Sequence, residues 1–269
     1  VPELPEVETI ARGLDRALAG KTIARVDVRL PKVALGNGVP FARAVAGERI
    51  ERVGRRGKFV VMELASGKAL VVHLRMTGRL IVRPADAEPY PYTNVAFAFS
   101  DRTGLCFADV RQFGRVRLVE AGERWDAAVG IEPLSDEFTP ECLSALLARR
   151  TTPVKVLLLD QKRIAGIGNI YACEALWEAG IRPARPAGKV SGPARLRLHA
   201  ALRSVLARAV EMRGTSVDDY VDAEGLRGGF QNVLSVYGRA GQPCPRCALP
   251  LVRTVLAQRG TWWCRTCQK

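Results

Sequence analysis

The chain has 269 residues, 48% of them apolar and 25% charged, a composition that fits two or three folded domains and excludes a disordered polypeptide. It has no run of about 18 apolar residues, which excludes an apolar membrane span, and its start, VPELPEVE, lacks both regions of a secretory signal, so the cytoplasm is the expected compartment. Lys and Arg number 41 against 27 Asp and Glu, and the resulting +14 points to a polyanionic partner held by phosphate neutralisation.

The helical spacing of Val7, Ile10, Ala11, Leu14 and Leu18 predicts a helix over residues 5–19, stopped by Gly20. From Thr22 to about Leu118 the pattern changes to short β-rich runs such as TIARVDVRL, KALVVHLRM, NVAFAF and RVRLV. Clusters of Gly, Pro, Asp and Ser separate them, so an antiparallel sandwich or barrel is expected. GIEPLSDEFTPE reads as a linker. Beyond it, Thr139–Pro140 and Thr152–Pro153 are each placed to cap and open a helix. A third helix is expected from near Asn169 to Gly180. A fourth is expected from about Pro193 to Arg213, with Leu196, Leu198, Leu202, Val205, Leu206 and Val210 as its apolar face. Residues 214–230, rich in Gly and Asp, read as a long functional loop. The expected domains are 1–131, 132–235 and 236–269.

Four of the seven cysteines crowd into the C-terminal ribbon as Cys244-x2-Cys247-x16-Cys264-x2-Cys267. Two close pairs bring four thiolates round one tetrahedral zinc, with the intervening residues as a hairpin. Four sulfurs fill the shell, so the expected zinc is structural; a catalytic zinc needs an open position. Cys106, Cys142 and Cys173 stand alone and read as small hydrophobes. After Glu224 there is no acid, while seven cations follow, among them Arg259 on the hairpin.

The turn Gly166-Ile167-Gly168-Asn169 precedes a helix N-terminus, whose free N–H groups favour an anion. Such a turn is often only a turn. Here Lys155, Lys162 and Arg163 surround it and favour a phosphate clamp. The start of the chain is open to two readings. Pro2, Glu3 and Glu6 can be a proline-started helix with acids at its positive end. Alternatively, a terminal proline is a secondary amine with a pKa near neutrality, able to attack an electrophilic carbon while Glu3 moves protons. His73, on the strand HLRM, reads by itself as a satisfied core histidine.

Together, PELPEVET (2–9), RRGKF (55–59), HLRMTG (73–78), DVRQFGR (109–115), LLLDQKRIAGIGNIYACEALWEAGI (157–181), GGFQ (228–231), VYGRAGQPC (236–244) and QRGTWWCRTCQ (258–268) span the chain in order. They closely resemble the formamidopyrimidine-DNA glycosylase family, bacterial enzymes that remove 8-oxoguanine and ring-opened purines. The resemblance implies a multidomain α+β fold with an N-terminal antiparallel β-sandwich and flanking helices, a helix–two-turn–helix domain and a C-terminal zinc ribbon. It implies double-stranded DNA with oxidised bases as the partner, one zinc ion, no membrane and a monomer of the nucleoid-bearing cytoplasm.

The resemblance also implies roles. Pro2 would attack C1′ of the damaged nucleotide, and Glu3 would be the general acid. The iminium would then promote β- and δ-elimination. Lys58 and Arg259 complete the catalytic set. His73, Lys155, Asn169 and Arg259 would hold DNA. Met76, Arg111 and Phe113 would fill the vacancy left by the extruded nucleotide, although strand packing is an equally ordinary use for Met76 and Phe113. Loop 214–230 matches the family's lid over the extruded base. Two departures stand out: Val110 and Gln112 replace the Pro and Arg common in the family, and Val1 precedes Pro2. A GTG start codon, with the initiator then trimmed, is expected to account for Val1. The alternatives are an endonuclease VIII-like enzyme for oxidised pyrimidines and a non-catalytic binder of damaged DNA.

Overall fold

The structure, a computed structural model, describes residues 2–36, 40–88, 90–216 and 220–269. The chain gathers into two compact units, residues 1–127 with 212–229, and residues 128–211 with 230–269.

The first unit opens with α1 (Leu4–Leu18). Glu3, in extended conformation, and Glu6 form a reciprocal capping box, which satisfies backbone N–H groups that a helix start leaves free. The stripe Val7, Ile10, Ala11, Leu14 and Leu18 is fully buried, and Gly20 (φ 81°) turns the chain away. There follow β1 (Ile23–Val28), β2 (Ala34–Leu35), α2 (Phe41–Val45), β3 (Ile50–Arg56), β4 (Phe59–Leu64), β5 (Ala69–His73), β6 (Arg79–Pro84), β7 (Thr93–Phe99), β8 (Thr103–Ala108) and β9 (Arg115–Val119). They form one sheet in the order β1-β7-β8-β6 and another in the order β2-β9-β5-β4-β3. All pairings are antiparallel except the two-residue β2 against β9. Alternate residues such as Val60, Met62 and Leu64 on β4, and Val95, Phe97 and Phe99 on β7, enter one apolar core with α1.

Segment 212–229 packs with this unit, although the sequence reading grouped it with the helices. Glu6 is the reason. One carboxylate oxygen accepts from the Glu3 amide at 2.7 Å and the other from the Thr215 amide at 2.7 Å. The side chain is 2% exposed. Within the segment, Asp222 accepts from the amides of Glu224 and Leu226 and from Arg213.

The second unit holds α3 (Pro140–Leu147), α4 (Val154–Leu158), α5 (Asn169–Glu178), α6 (Gly192–Glu211) and the hairpin β10 (Val252–Leu256) with β11 (Arg259–Trp263). Thr139 caps α3, its hydroxyl accepting from the Cys142 amide at 3.2 Å. Thr152 does not repeat the device. Pro153 occupies the cap position of α4 with no side-chain hydrogen bond, and the Thr152 carbonyl accepts from Ala187 instead. On α6 the expected face is shifted. Ala194, Leu198, Ala201, Leu202, Val205, Leu206 and Ala209 are buried, whereas Leu196 is 56% exposed, because small alanines rather than Leu196 complete the stripe.

The ribbon is fastened to α5 along its length. The buried Glu174 accepts from the amides of Ser235, Val236 and Tyr237 at 2.8, 2.9 and 2.8 Å. Burial pushes its carboxyl above the usual range, while those three N–H groups pull the other way. Arg246 donates to the carbonyls of Trp177 and Glu178 and lies over the Trp177 ring at 4.1 Å. Residues 236–269 therefore share a compact unit with the helices.

Candidate nucleic-acid interface

The capping box places Pro2 immediately before α1. Pro2 is buried and Glu3 is 4% exposed, so both lie within folded structure and not on a frayed end. Their backbone is fixed through Glu6, which also carries the Thr215 amide. Lys58 stands in the two-residue turn between β3 and β4, where Gly57 supplies a positive φ (57°). Phe59, next to it, pairs in register with His73 of β5, and the two rings meet edge to face at 4.7 Å.

His73 is half-buried, and its Nδ1 lies 3.0 Å from the Arg75 amide, which donates to it. An accepting Nδ1 leaves the proton of a neutral ring on Nε2. Burial, then the charges of Arg75 and Lys58, lower its pKa to about 4. His73 is thus a neutral donor rather than a cation or a sequestered core residue.

Met76, Arg111 and Phe113 do not pack within a strand. Met76 is 45% and Phe113 51% exposed, and the Arg111 guanidinium lies 5.0 Å from the Phe113 ring centre. Two tight turns carry them, each with a non-glycine residue at positive φ: Arg75 at 57° and Gln112 at 58°. One buried acid joins the turns. Asp109, 2% exposed, accepts from the amides of Gly114 (2.7 Å) and Arg111 (3.2 Å) and from the Thr77 hydroxyl. Gly78 closes the first turn, since a Cβ there would meet the Leu74 carbonyl oxygen at 2.4 Å.

In the second unit, α5 begins at Asn169, whose side-chain Nδ2 donates to the Gly260 carbonyl at 3.0 Å. Lys155, on α4, donates to the same carbonyl at 3.0 Å and to the Thr261 hydroxyl at 2.7 Å. Lys155 is 1% exposed. The expectation that it touches phosphate gives way to an inward position, because its ammonium is spent on the hairpin. At the hairpin tip, Ala257 (φ 46°) and Gln258 (φ 61°) form a two-residue turn between the paired Leu256 and Arg259, and Arg259 is exposed. Positive φ at both turn positions usually calls for Asn and Gly, so Ala and Gln store strain at the tip.

The sulfurs of Cys244, Cys247, Cys264 and Cys267 lie within 4.8 Å of one another. Four ligands at about 2.3 Å from a tetrahedral zinc sit roughly 3.8 Å apart, so the donor set fits the metal. The chain has one structural zinc site. Sequence reasoning missed Glu6, Asp109 and Glu174. Each is a buried acid holding backbone amides, and a lone acid in a sequence carries no sign of burial.

A β-sandwich bearing protruding turns, together with helices bearing a zinc ribbon, is the architecture of a helix–two-turn–helix DNA glycosylase. Residues 1–116 match the formamidopyrimidine-DNA glycosylase N-terminal domain, 129–221 its H2TH domain, and 241–269 the zinc finger found in FPG and IleRS. The formamidopyrimidine-DNA glycosylase of Chloroflexus aggregans is 46% identical over 273 residues, covering 100% of this chain and 98% of that protein. That of Carboxydothermus hydrogenoformans is 46% identical over 270 residues, covering 100% of both. Among solved structures, the MutM (Fpg) protein of Thermus thermophilus has a TM-score of 0.89 at 43% identity, covering 99% of this chain and 98% of that one. A Lactococcus lactis Fpg variant in complex with a Fapy-dG-containing DNA has a TM-score of 0.93 at 32% identity, covering 100% of both chains. The chain belongs to the formamidopyrimidine-DNA glycosylase family, and it is a base-excision-repair glycosylase and AP lyase for oxidised purines.

Proposed function

We propose that this protein acts as a monomer on double-stranded DNA of the cytoplasmic nucleoid, excising oxidised purines through Pro2. The Pro2 nitrogen donates its lone pair to C1′ of the extruded nucleotide, and the glycosidic bond breaks, its electrons leaving with the base, which takes up the proton that the amine loses. Glu3 supplies the proton that opens the sugar ring. The resulting iminium acidifies the C2′ hydrogen. Its loss expels the 3′ phosphate, and a second elimination expels the 5′ phosphate. Lys58 assists at the phosphate and the lesion, and Arg259 completes the catalytic set.

His73, Asn169 and Arg259 hold the phosphates, with Lys155 supporting the hairpin from behind. Met76, Arg111 and Phe113 occupy the space the extruded base leaves. Three functional segments follow: catalytic 1–131, helical 132–235 with the capping loop 214–230, and ribbon 236–269. Residues 217–219 of that loop lie outside the described residues.

The observation that carries this reading is the buried Pro2–Glu3 pair, anchored by Glu6 to the amide of Thr215. The amine chemistry requires Pro2 to be the first residue of the active protein, and Val1 lies outside the described residues. Borohydride reduction during turnover of an 8-oxoguanine duplex tests the reading. A covalent protein–DNA adduct mapping to Pro2 is the expected result. Active protein that retains a residue before Pro2 by intact mass, or that yields no adduct, refutes it.

A further inference from the structure

The second unit contains a cavity of about 1070 Å³ lined by Arg182, Arg185, Lys189, Arg265 and Lys269, with Trp263 in its wall and no acidic side chain. None of these five cations has an ion-pair partner among the described residues. Like charges gathered without counter-charge cost the folded state self-repulsion, so a function must offset the arrangement.

The cavity lies beside the hairpin, on the side of its base. Thr254, in its lining, pairs in register with Thr261, the residue that accepts from Lys155. Trp263 follows Thr261 by two on the same face of β11, and its indole N–H donates to the Thr254 hydroxyl at 3.3 Å. The opposite wall is tied to the same element. The amides of Val154 and Lys155 donate to the carbonyls of Arg185 (2.8 Å) and Pro183 (3.2 Å). The Lys155–Gly260 support and the basic cavity therefore share one scaffold.

We propose that this cavity carries the phosphodiester backbone of duplex DNA that flanks the lesion, extending the footprint beyond the hairpin that holds Gly260. The proposal rests on the reading of the protein as a DNA glycosylase. A backbone is favoured over an acidic peptide because the cavity offers no free aromatic face: Trp263 is 8% exposed and the Arg182 guanidinium already covers it at 5.3 Å. What remains is spaced positive charge, which suits repeated phosphates better than a side-chain pocket.

The test compares the unmodified protein with the double variant Arg185→Gln/Lys189→Gln on two 8-oxoguanine duplexes. One ends about one helical turn from the lesion, and the other extends two further turns on each side. Zinc content verifies that the ribbon is folded. On the long duplex the double variant should bind about 10-fold more weakly, and the slope of log affinity against log salt should fall by about 1.8, the value for two lost phosphate contacts. On the short duplex, which lacks the flanking backbone that the proposal assigns to the cavity, affinity and excision should stay within about twofold. Unchanged binding to the long duplex, or equal weakening on both, overturns the proposal. Unchanged DNA binding with lost affinity for a poly-glutamate peptide reassigns the cavity to a protein partner and also overturns it. Failure of the unmodified protein to excise from either duplex strikes the glycosylase reading itself, and this proposal falls with it.

Discussion

The Lys155 ammonium and the Gly260 carbonyl, 105 residues apart in sequence, meet at 3.0 Å inside the second unit. Lys155 is thereby a positioning residue for the hairpin that carries Arg259. A charged donor to a carbonyl contributes roughly 1.5–3 kcal/mol. Lys155→Met keeps the stem and removes the donor. DNA affinity should drop about 10-fold while the salt slope stays constant, because no phosphate contact is lost. A slope lowered by about one in a salt titration would instead make Lys155 a phosphate ligand.

His73 gives a pH signature. Its folded pKa of about 4 lies below the ordinary 6.5, so the unfolded chain takes up the proton first as pH falls. Its contribution to stability is complete above pH 6.5 and is lost as the pH falls towards 4. Urea midpoints at pH 7 and pH 5 should therefore differ more for the unmodified protein than for His73→Gln. If His73 meets phosphate as proposed, DNA affinity should show no step near pH 6.5, because the ring is already neutral there. A titration of His73 centred there would contradict its lowered pKa.

Asp109→Asn changes little in shape but turns one acceptor into a donor facing backbone N–H groups. Leaving such a buried amide unpaired costs about 1–3 kcal/mol. The turns of Met76 and Phe113 should loosen together, and excision of 8-oxoguanine should fall about 10-fold or more, chiefly through KM. Equal kinetics in Asp109→Asn and the unmodified protein would show that the two turns hold their form without it.

Cys244→Ser, or removal of zinc by a chelator, should unfold the ribbon, since so small a hairpin depends on its metal. Lys155 and Asn169 then lose the Gly260 carbonyl together. Zinc stoichiometry and DNA affinity should fall in parallel. Full affinity at zero zinc would separate the metal from the interface.

Glu3→Gln should slow base release from 8-oxoguanine by about 100-fold, the range of general acid catalysis, yet leave cleavage at a preformed abasic site largely intact. Parallel loss in both assays would mean that Glu3 serves the amine chemistry as a whole.

Much of this molecule was legible in its sequence. The stripe of α1, the strand runs and the cysteine spacing depend on neighbours a few residues away, and the structure reproduces them. What stayed hidden depends on distant partners. Lys155 reads as an exposed cation because Gly260 and Thr261 belong to another part of the chain. Glu6 reads as a helix-start acid, and its second role needs Thr215. Leu196 looks like a core residue until the alanines of α6 are seen to complete the stripe. The two-residue β2 and five-residue α2 are too short for periodicity to register. The hairpin tip lacks Asn and Gly, so its Ala257–Gln258 turn gives no turn signal.

The stem of segment 212–229 is a crossing of bare backbone. A Cβ on Gly228 would strike the Gly214 carbonyl oxygen at 2.3 Å, and one on Gly214 would strike the Glu6 carboxylate at 2.7 Å. With entrance and exit pinned at one point, a change in the length of chain between them carries only a small entropic expense. Any side chain at either glycine would push the two strands of the crossing apart and loosen the hold of Glu6 on the Thr215 amide.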